Sequence, residues 1–404
     1  MNTKAGRIIQ VASSFTCKPI ERSLGTAILN AGIGDGVGFS QYEQMSQYML
    51  GTAPDSMQIL GTIVLLRVED WLREDLKSAT PLGAPATPSQ PLHQQLRSRA
   101  NDFLTQITTL ARRGKPVWFL ACPSKGWIAE RHKIGTLCQT HANLIVARLQ
   151  NDSQITPLRW PTSSFTGEVQ DNRADRLGQI PFTQPTFDRL GEFLGAQIAR
   201  TIERNETCAA PPVHVKSPEL ADYLASLKVH VQLAPADSDD RPKLDRILRM
   251  AADFTLKGEQ RELSEDEMDA LMDSGGCMRI VVSDRLSNYG ISGILAYRST
   301  PEALIVEVLS LSCTVLGKQA EFAVLSALRQ IAADLHVAKL VFAYAPAERN
   351  HPMLTFLQSV ADEESGARFV VPVAVAEERI RAAAVIAGAW TVELERSVAG
   401  STAR

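Results

Sequence analysis

The chain has 404 residues, a net charge of −3 and 45% hydrophobic residues. At roughly 100–200 residues per domain this length predicts two or three domains, and without a sustained basic block the charge gives no reason to expect nucleic acid. No run reaches the ~18 apolar residues of a membrane span, the first apolar run is too short for a signal peptide, and six scattered cysteines without a C-x-x-C pair argue against a zinc cluster or disulfide scaffold and for a reducing cytoplasm.

Residues 7–16 (RIIQVASSFT) read as a buried strand ending at Ala12, Ser13 and Ser14, followed by a helix from Ile20 to Leu29. Gly32, Gly34, Gly36 and Gly38 have the wrong spacing for a phosphate fingerprint and no following lysine with Ser/Thr, so they read as a loop. Ile59 to Val68 is a near-continuous apolar run, the mark of a central parallel strand. Ala79 to Gln90 is a proline-rich loop, a helix runs from about Pro91 to Arg113, and a third strand spans Pro116 to Cys122. Ile155 to Asp175 reads mostly as loop, and a helix from about Thr186 to Ile202 closes the unit. This alternation predicts a doubly wound α/β domain with a parallel sheet over residues 1–205.

The two prolines and polar residues of Asn205 to Val215 interrupt the periodicity, so residues 206–216 are expected to be a linker and residues 217–404 a second domain. There a short helix (Ser217 to Leu227), a strand (Val229 to Leu233) and a helix (Pro242 to Asp253) precede strands at Arg279–Ser283, Gly293–Tyr297 and Leu304–Leu311. A helix after Gly317 carries Phe322, Leu325, Leu328 and Ile331 at three-residue steps; a strand at Leu340–Tyr344, a helix at about Pro352–Val360 and last strands at Val370–Val375 follow, and the final VAGSTAR reads as a frayed tail. The order predicts an α+β fold. Asp237, Asp239 and Asp240 read as a solvated loop.

The passage from strand to helix at Ser312–Gln319 is the stretch most able to carry chemistry. A strand opening through a glycine turn into a helix places backbone N–H groups and a positive helix end beside Cys313, which suits a phosphate or a thiolate. The alternative is a buried structural cysteine.

Several ordered blocks carry a resemblance. RILRMAADFTLKGEQRELSEDEM is similar to K-T-N-Q-F-N-L-T-T-R-R, VVSDRLSNYGISGIL to D-R-F-G-D-x-G-x-x-G-V, SCTVLGKQAEFAVLSAL to S-C-R-V-L-G-R-G-V-E-x-A, and YAPAERNHPMLTFL to Y-x-P-T-x-K-N-x-x-V-x-x-F. With YLASLKVHVQLAPA these cover about residues 218–360 and resemble the FkbH-like acyl-loading proteins found beside polyketide and peptide synthetases, whose C-terminal part resembles GCN5-type (GNAT) acyltransferases. The leading domain of that family looks like an SGNH hydrolase: ASSFT stands where relatives have G-D-S-x-T, with Ser14 at the serine position, and RLGQIPFT stands for R-x-G-H-I-P-Y-T. Gln179 replaces the histidine, and glutamine is no general base at neutral pH. The phosphatase domain usual between the halves is absent from this sequence, so dephosphorylation is expected to be lost and acyl transfer to remain.

The resemblance implies Cys313 as an acyl-bearing thiol, with Glu321, Asp284, Asn350 and His351 as further catalytic candidates and Gly317, Lys318, Gln319 and Arg349 as phosphate-loop or arm-binding residues. Each has an ordinary alternative: a helix-end charge for Glu321, an ion pair for Asp284 with Arg285, a solvated loop group for His351. No metal and no tightly bound cofactor is expected; the implied co-substrate is the phosphopantetheine arm of an acyl or peptidyl carrier protein, or CoA. Three functions stay open: an acyltransferase of natural-product biosynthesis, a non-catalytic carrier-docking module, or a serine esterase or thioesterase using Ser14 with His132 or His141 as base.

Overall fold

The structure, a computed structural model, describes residues 6–41, 44–51, 58–77, 90–165, 167–205, 218–257, 265–273, 276–365, 367–386 and 388–395. The chain divides into two compact units, Met1–Glu219 and Leu220–Arg404. The proline-rich loop, the linker and the C-terminal tail expected from the sequence lie outside the described residues.

In the first unit five strands, β1 (Arg7–Ser13), β2 (Gly36–Phe39), β3 (Gln58–Leu66), β4 (Val117–Ala121) and β5 (Ile155–Leu158), form a sheet in the order β2-β1-β3-β4-β5 with every pair parallel. The apolar run in β3 is continuous because both faces are covered. Ile63 and Leu65 pack with Trp118 and Leu120 beneath the helices Glu21–Asn30 and Gln184–Asn205. Val64 and Leu66 pack with Val117 and Phe119 beneath the helices Gln90–Ala111 and Gly135–Leu149. Each fully buried aliphatic side chain contributes about 1.5–3 kcal/mol.

Two expectations are corrected here. The glycine loop contains β2, an edge strand paired with β1, whose Gly38 lies so close to Gln10 that a Cβ would meet its Oε1 at 2.4 Å and the glutamine side chain would have to shift. The stretch read as loop after Ile155 holds β5, whose Pro157 is tolerated at a sheet edge, and the helix Asn172–Gly178.

The second unit is α+β. Its strands are β6 (Val229–Pro235), β7 (Cys277–Ser283), β8 (Asn288–Ser299), β9 (Ala303–Leu311), β10 (Lys339–Ala343), β11 (Glu363–Ser365), β12 (Arg368–Pro372) and β13 (Trp390–Leu394), in the order β11-β12-β10-β9-β8-β7-β6-β13. Neighbours from β6 to β9 are antiparallel, as are β10–β12 and β11–β12, whereas β9–β10 and β6–β13 are parallel. A parallel pair needs a crossover, and the helix Ala320–Asp334 supplies it between β9 and β10. It buries Phe322, Leu325, Leu328 and Ile331 in the main core, the residues at the spacing read from the sequence. The last expected strand corresponds to β12; β11 and β13 were not foreseen.

Candidate functional site

In the first unit the loops at the carboxyl ends of β1, β3 and β4 meet, the place where open α/β sheets usually hold ligands. Ser14 follows β1 directly. Its hydroxyl donates to Asp70 Oδ2 at 2.8 Å and accepts from the Arg67 N–H at 2.9 Å. Asp70 is not a free base. Arg67 reaches it from Nε at 3.1 Å and from Nη2 at 2.5 Å, and Arg73 Nη2 adds a contact at 3.0 Å. Both guanidiniums also bind Asp175, Arg67 through two bonds of 2.8 Å and Arg73 through one of 2.5 Å. The Arg67, Arg73, Asp70 and Asp175 side chains are at most 4% exposed. Such a closed set of paired charges survives burial because each has a partner; removing one member leaves an uncompensated charge.

Glu69 joins the rim of this cluster, accepting from the Gly126 N–H at 3.2 Å. Burial pushes its carboxyl up to about 7 against the opposing pull of Arg67. Desolvation also acts on Asp175, but hydrogen bonds and charge from Arg67, then Arg73, hold it below the usual carboxylate range. Gly126 packs so tightly here that a Cβ would meet Arg67 Nη1 and Asp175 Oδ2, each at 2.6 Å.

The histidines considered as bases for Ser14 are both buried. His132 is buried, and burial followed by the nearby Arg131 lowers its pKa. His141 is likewise lowered by burial and faces His93, with ring centroids 6.0 Å apart. Among the described residues no histidine hydrogen-bonds Ser14. Gln179 ends the helix Asn172–Gly178 in a left-handed conformation, and its carbonyl accepts from the Thr16 N–H at 2.9 Å. Arg67, Glu69, Asp70 and Arg73 were missed as a group in the sequence. The signal was present: four charged residues packed into RVEDWLR immediately after a central apolar run.

In the second unit Cys313 opens a short 3-10 turn, Cys313–Val315, after β9, and the helix proper begins at Ala320. Ser312 caps the turn through the Thr314 N–H. Gly317 takes φ +74°, a left-handed value that suits glycine. Gln319, also left-handed at φ +66°, points its amide away from the loop: Nε2 donates to Ile386 O and Oε1 accepts from Ile386 N–H, each at 3.3 Å.

Lys318 turns inward as well. Its Nζ binds Asp284 Oδ2 at 3.1 Å and lies 4.9 Å from the centre of the Tyr289 ring. Burial disfavours the ammonium, but Tyr289 and Asp284 more than offset this and hold its pKa above the lysine range. Asp284 meanwhile accepts from the Leu286 and Ser287 N–H groups at 2.7 and 2.9 Å and from the Tyr289 hydroxyl at 3.0 Å, which shapes the β7–β8 turn. Its partner is Lys318, while Arg285 Nε donates to Ser226 O.

Asn350 is fully buried. Its Oδ1 accepts from the Tyr344 hydroxyl at 2.9 Å and the Ala347 N–H at 2.8 Å, and its Nδ2 donates to Ala345 O and Thr255 O at 2.9 and 3.2 Å. Arg349 pairs with Asp253 at 2.9 Å in an exposed bridge, and His351 is exposed at the start of its helix. Glu321 Oε2 is buried without a hydrogen-bond partner, and burial pushes the carboxyl up to about 7. The structure therefore brings Asp284 and Lys318 together, and separately Asn350 with Tyr344. Lys318, the loop's cationic side chain, is thus committed to Asp284.

The cysteines differ sharply. Cys17, Cys122, Cys138 and Cys277 are buried, whereas Cys313 is partly exposed. Burial raises the thiols of Cys17 and Cys277 to about 11 and about 12, and pushes Cys122 and Cys138 up as well. Among the described residues no helix is long and apolar enough to cross a membrane, and no group of three or more His, Cys, Asp or Glu could hold a metal ion.

No protein-family profile and no curated protein matches the chain. Solved structures do. The N-terminal part of the Bacteroides fragilis protein BF1531, containing a phosphatase domain and complexed with magnesium, is similar over 49% of this chain and 53% of its own, at 12% identity and a TM-score of 0.37. The chain thus spans about half of that structure. A GNAT family acetyltransferase from Elizabethkingia anophelis with acetyl-CoA bound is similar over 34% of this chain and 78% of its own, at 12% identity and a TM-score of 0.26. The ribosomal-protein-S18-alanine N-acetyltransferase from Escherichia coli is similar over 35% of this chain and 94% of its own, at 10% identity and a TM-score of 0.26.

Proposed function

We propose that the second unit is an acyltransferase in which Cys313 receives an acyl group from a thioester, the donor being the phosphopantetheine thioester of an acyl or peptidyl carrier protein in natural-product assembly. The observation that carries this reading is the partial exposure of Cys313, the exception among the described cysteines. The SCTVLGKQAEFAVLSAL block around it adds the resemblance to FkbH-like proteins. Cysteines outside any disulfide among the described residues fit a reducing cytoplasm.

The step is a thioester exchange. The Cys313 sulfur attacks the donor carbonyl, a new carbon–sulfur bond forms, the donor's carbon–sulfur bond breaks, and the proton leaving Cys313 ends on the departing thiolate. No oxidant or metal enters. Glu321, in the first turn of the helix that follows the loop and with its carboxyl pushed by burial up to about 7, is the proposed proton-exchanging group.

A second reading, a docking module without chemistry, is favoured by the inward turn of Lys318 and Gln319. The serine hydrolase reading loses support from the geometry, because the Ser14 hydroxyl is committed to Asp70 and to the Arg67 N–H. Intact mass after incubation with an acyl-loaded carrier protein separates the three. An acyl adduct lost in Cys313→Ala supports acyl transfer. An adduct lost in Ser14→Ala supports the hydrolase. No adduct, with no acylated acceptor formed, leaves the docking module.

A further inference from the structure

The parallel pair β9–β10 holds together only from Ala303↔Lys339 to Val306↔Phe342. β9 runs on to Leu311, and its opposite edge stays paired with β8 as far as Leu311↔Gly293. The β10-facing peptide groups beyond Val306 are therefore an open row leading to the turn that carries Cys313. That row is filled from within the unit. The Leu256 N–H donates to Leu309 O and the Leu311 N–H to Phe254 O, both at 3.0 Å, and on the far side the Ala345 N–H donates to Leu256 O at 2.8 Å. Thr255 lies opposite Ser310 in antiparallel sense and Lys257 beside Ala345 in parallel sense.

Side chains lock the insertion. The Ser310 hydroxyl donates to Thr255 Oγ1 at 2.8 Å, and Asn350 Nδ2 holds Thr255 O. Phe254 and Leu256 are part of the main core, with the Phe254 and Phe356 ring centres 5.5 Å apart. Arg349 secures the entrance through Asp253. Withdrawing the segment would return two core side chains to water and leave three backbone bonds unmade.

An extended arm with amide groups, such as pantetheine, would follow β9 toward Cys313 by pairing with this same row, as a peptide pairs with a sheet edge. We infer that Asp253–Lys257 is a resident occupant of the row, so that this unit takes no CoA or phosphopantetheine arm between β9 and β10, and an acyl thioester meets Cys313 from the solvent side of its turn. The occupancy is independent of what Cys313 does; the direction of approach rests on the acyl-transfer reading.

Amide hydrogen exchange on the full chain tests this, with CoA and then pantetheine added as probes at millimolar concentration. The amides of Leu256, Leu311 and Ala345 should exchange as slowly as those of the core strands and stay so with either probe. Faster exchange at these amides on addition of CoA or pantetheine would mean that the segment is expelled, and would overturn the inference. The same measurement with an acyl-loaded carrier protein separates the two proposals. An adduct on Cys313 with protection retained supports both. An adduct with protection lost overturns the occupancy and leaves acyl transfer standing. Protection retained without an adduct keeps the occupancy and removes the acyl-transfer reading.

Discussion

Ser14 and Cys313 occupy equivalent places, each just past the carboxyl end of a central strand and ahead of a helix, yet their surroundings are opposite. Ser14 is wired into a closed set of buried charges that spends its hydroxyl on Asp70. Cys313 stands in a short turn as a partly exposed residue, while the polar side chains that follow it face inward to hold the fold. A nucleophile in the expected place is thus a weak sign of reactivity. What decides is whether its neighbours are already fully engaged.

The sharpest way to break the comparison is chemical. Cys313→Ala should remove the acyl adduct entirely in intact-mass measurements, while Ser14→Ala should leave its yield unchanged. For the first unit the largest structural effect belongs to Arg67→Leu, which leaves the buried Asp70 and Asp175 sharing the one guanidinium of Arg73. It should cost about 3–5 kcal/mol in urea unfolding. Gly126→Ala drives a methyl group into Arg67 and Asp175 and should cost about 1–3 kcal/mol by the same measurement.

The charge cluster also predicts a pH dependence. The folded value of Glu69 is raised, so its contribution is complete below the ordinary 4.5 and is lost as pH rises through about 7. The melting temperature of the wild type should therefore carry a falling component across that window, and Glu69→Gln should flatten it. The smallest effect belongs to the exposed Arg349–Asp253 bridge, where the arginine side chain is 64% exposed. Arg349→Ala should change stability by about 0–1 kcal/mol in a denaturant titration.

The core elements were legible because their apolar runs are long and regular: Ile59 to Val68 marks β3, and Leu304 to Leu311 marks β9. The edges were not. β2 is half glycine, β5 contains Pro157, and β13 alternates polar and apolar over a short stretch, so each depends on its neighbour more than on its own residues. The roles of Lys318, Gln319 and Asn350 were equally hidden. Side chains of these types in a loop suggest a ligand, and only the fold reveals that Asp284, the Ile386 backbone and the Tyr344 hydroxyl are their partners. The insertion of Asp253–Lys257 pairs residues far apart in the chain, which no local pattern announces.

β13 covers the free side of β6, and the two strands are joined across 161 residues of sequence by the contact between His230 and Thr391. Such a long-range pairing cannot close until the intervening chain has been gathered. Until then β6 presents a bare rim of unpaired peptide groups flanked by Val231 and Leu233. A truncated or newly emerging chain lacking Trp390–Leu394 would therefore be prone to stick to others of its kind, and trimming that strand should turn a well-behaved sample into one that aggregates.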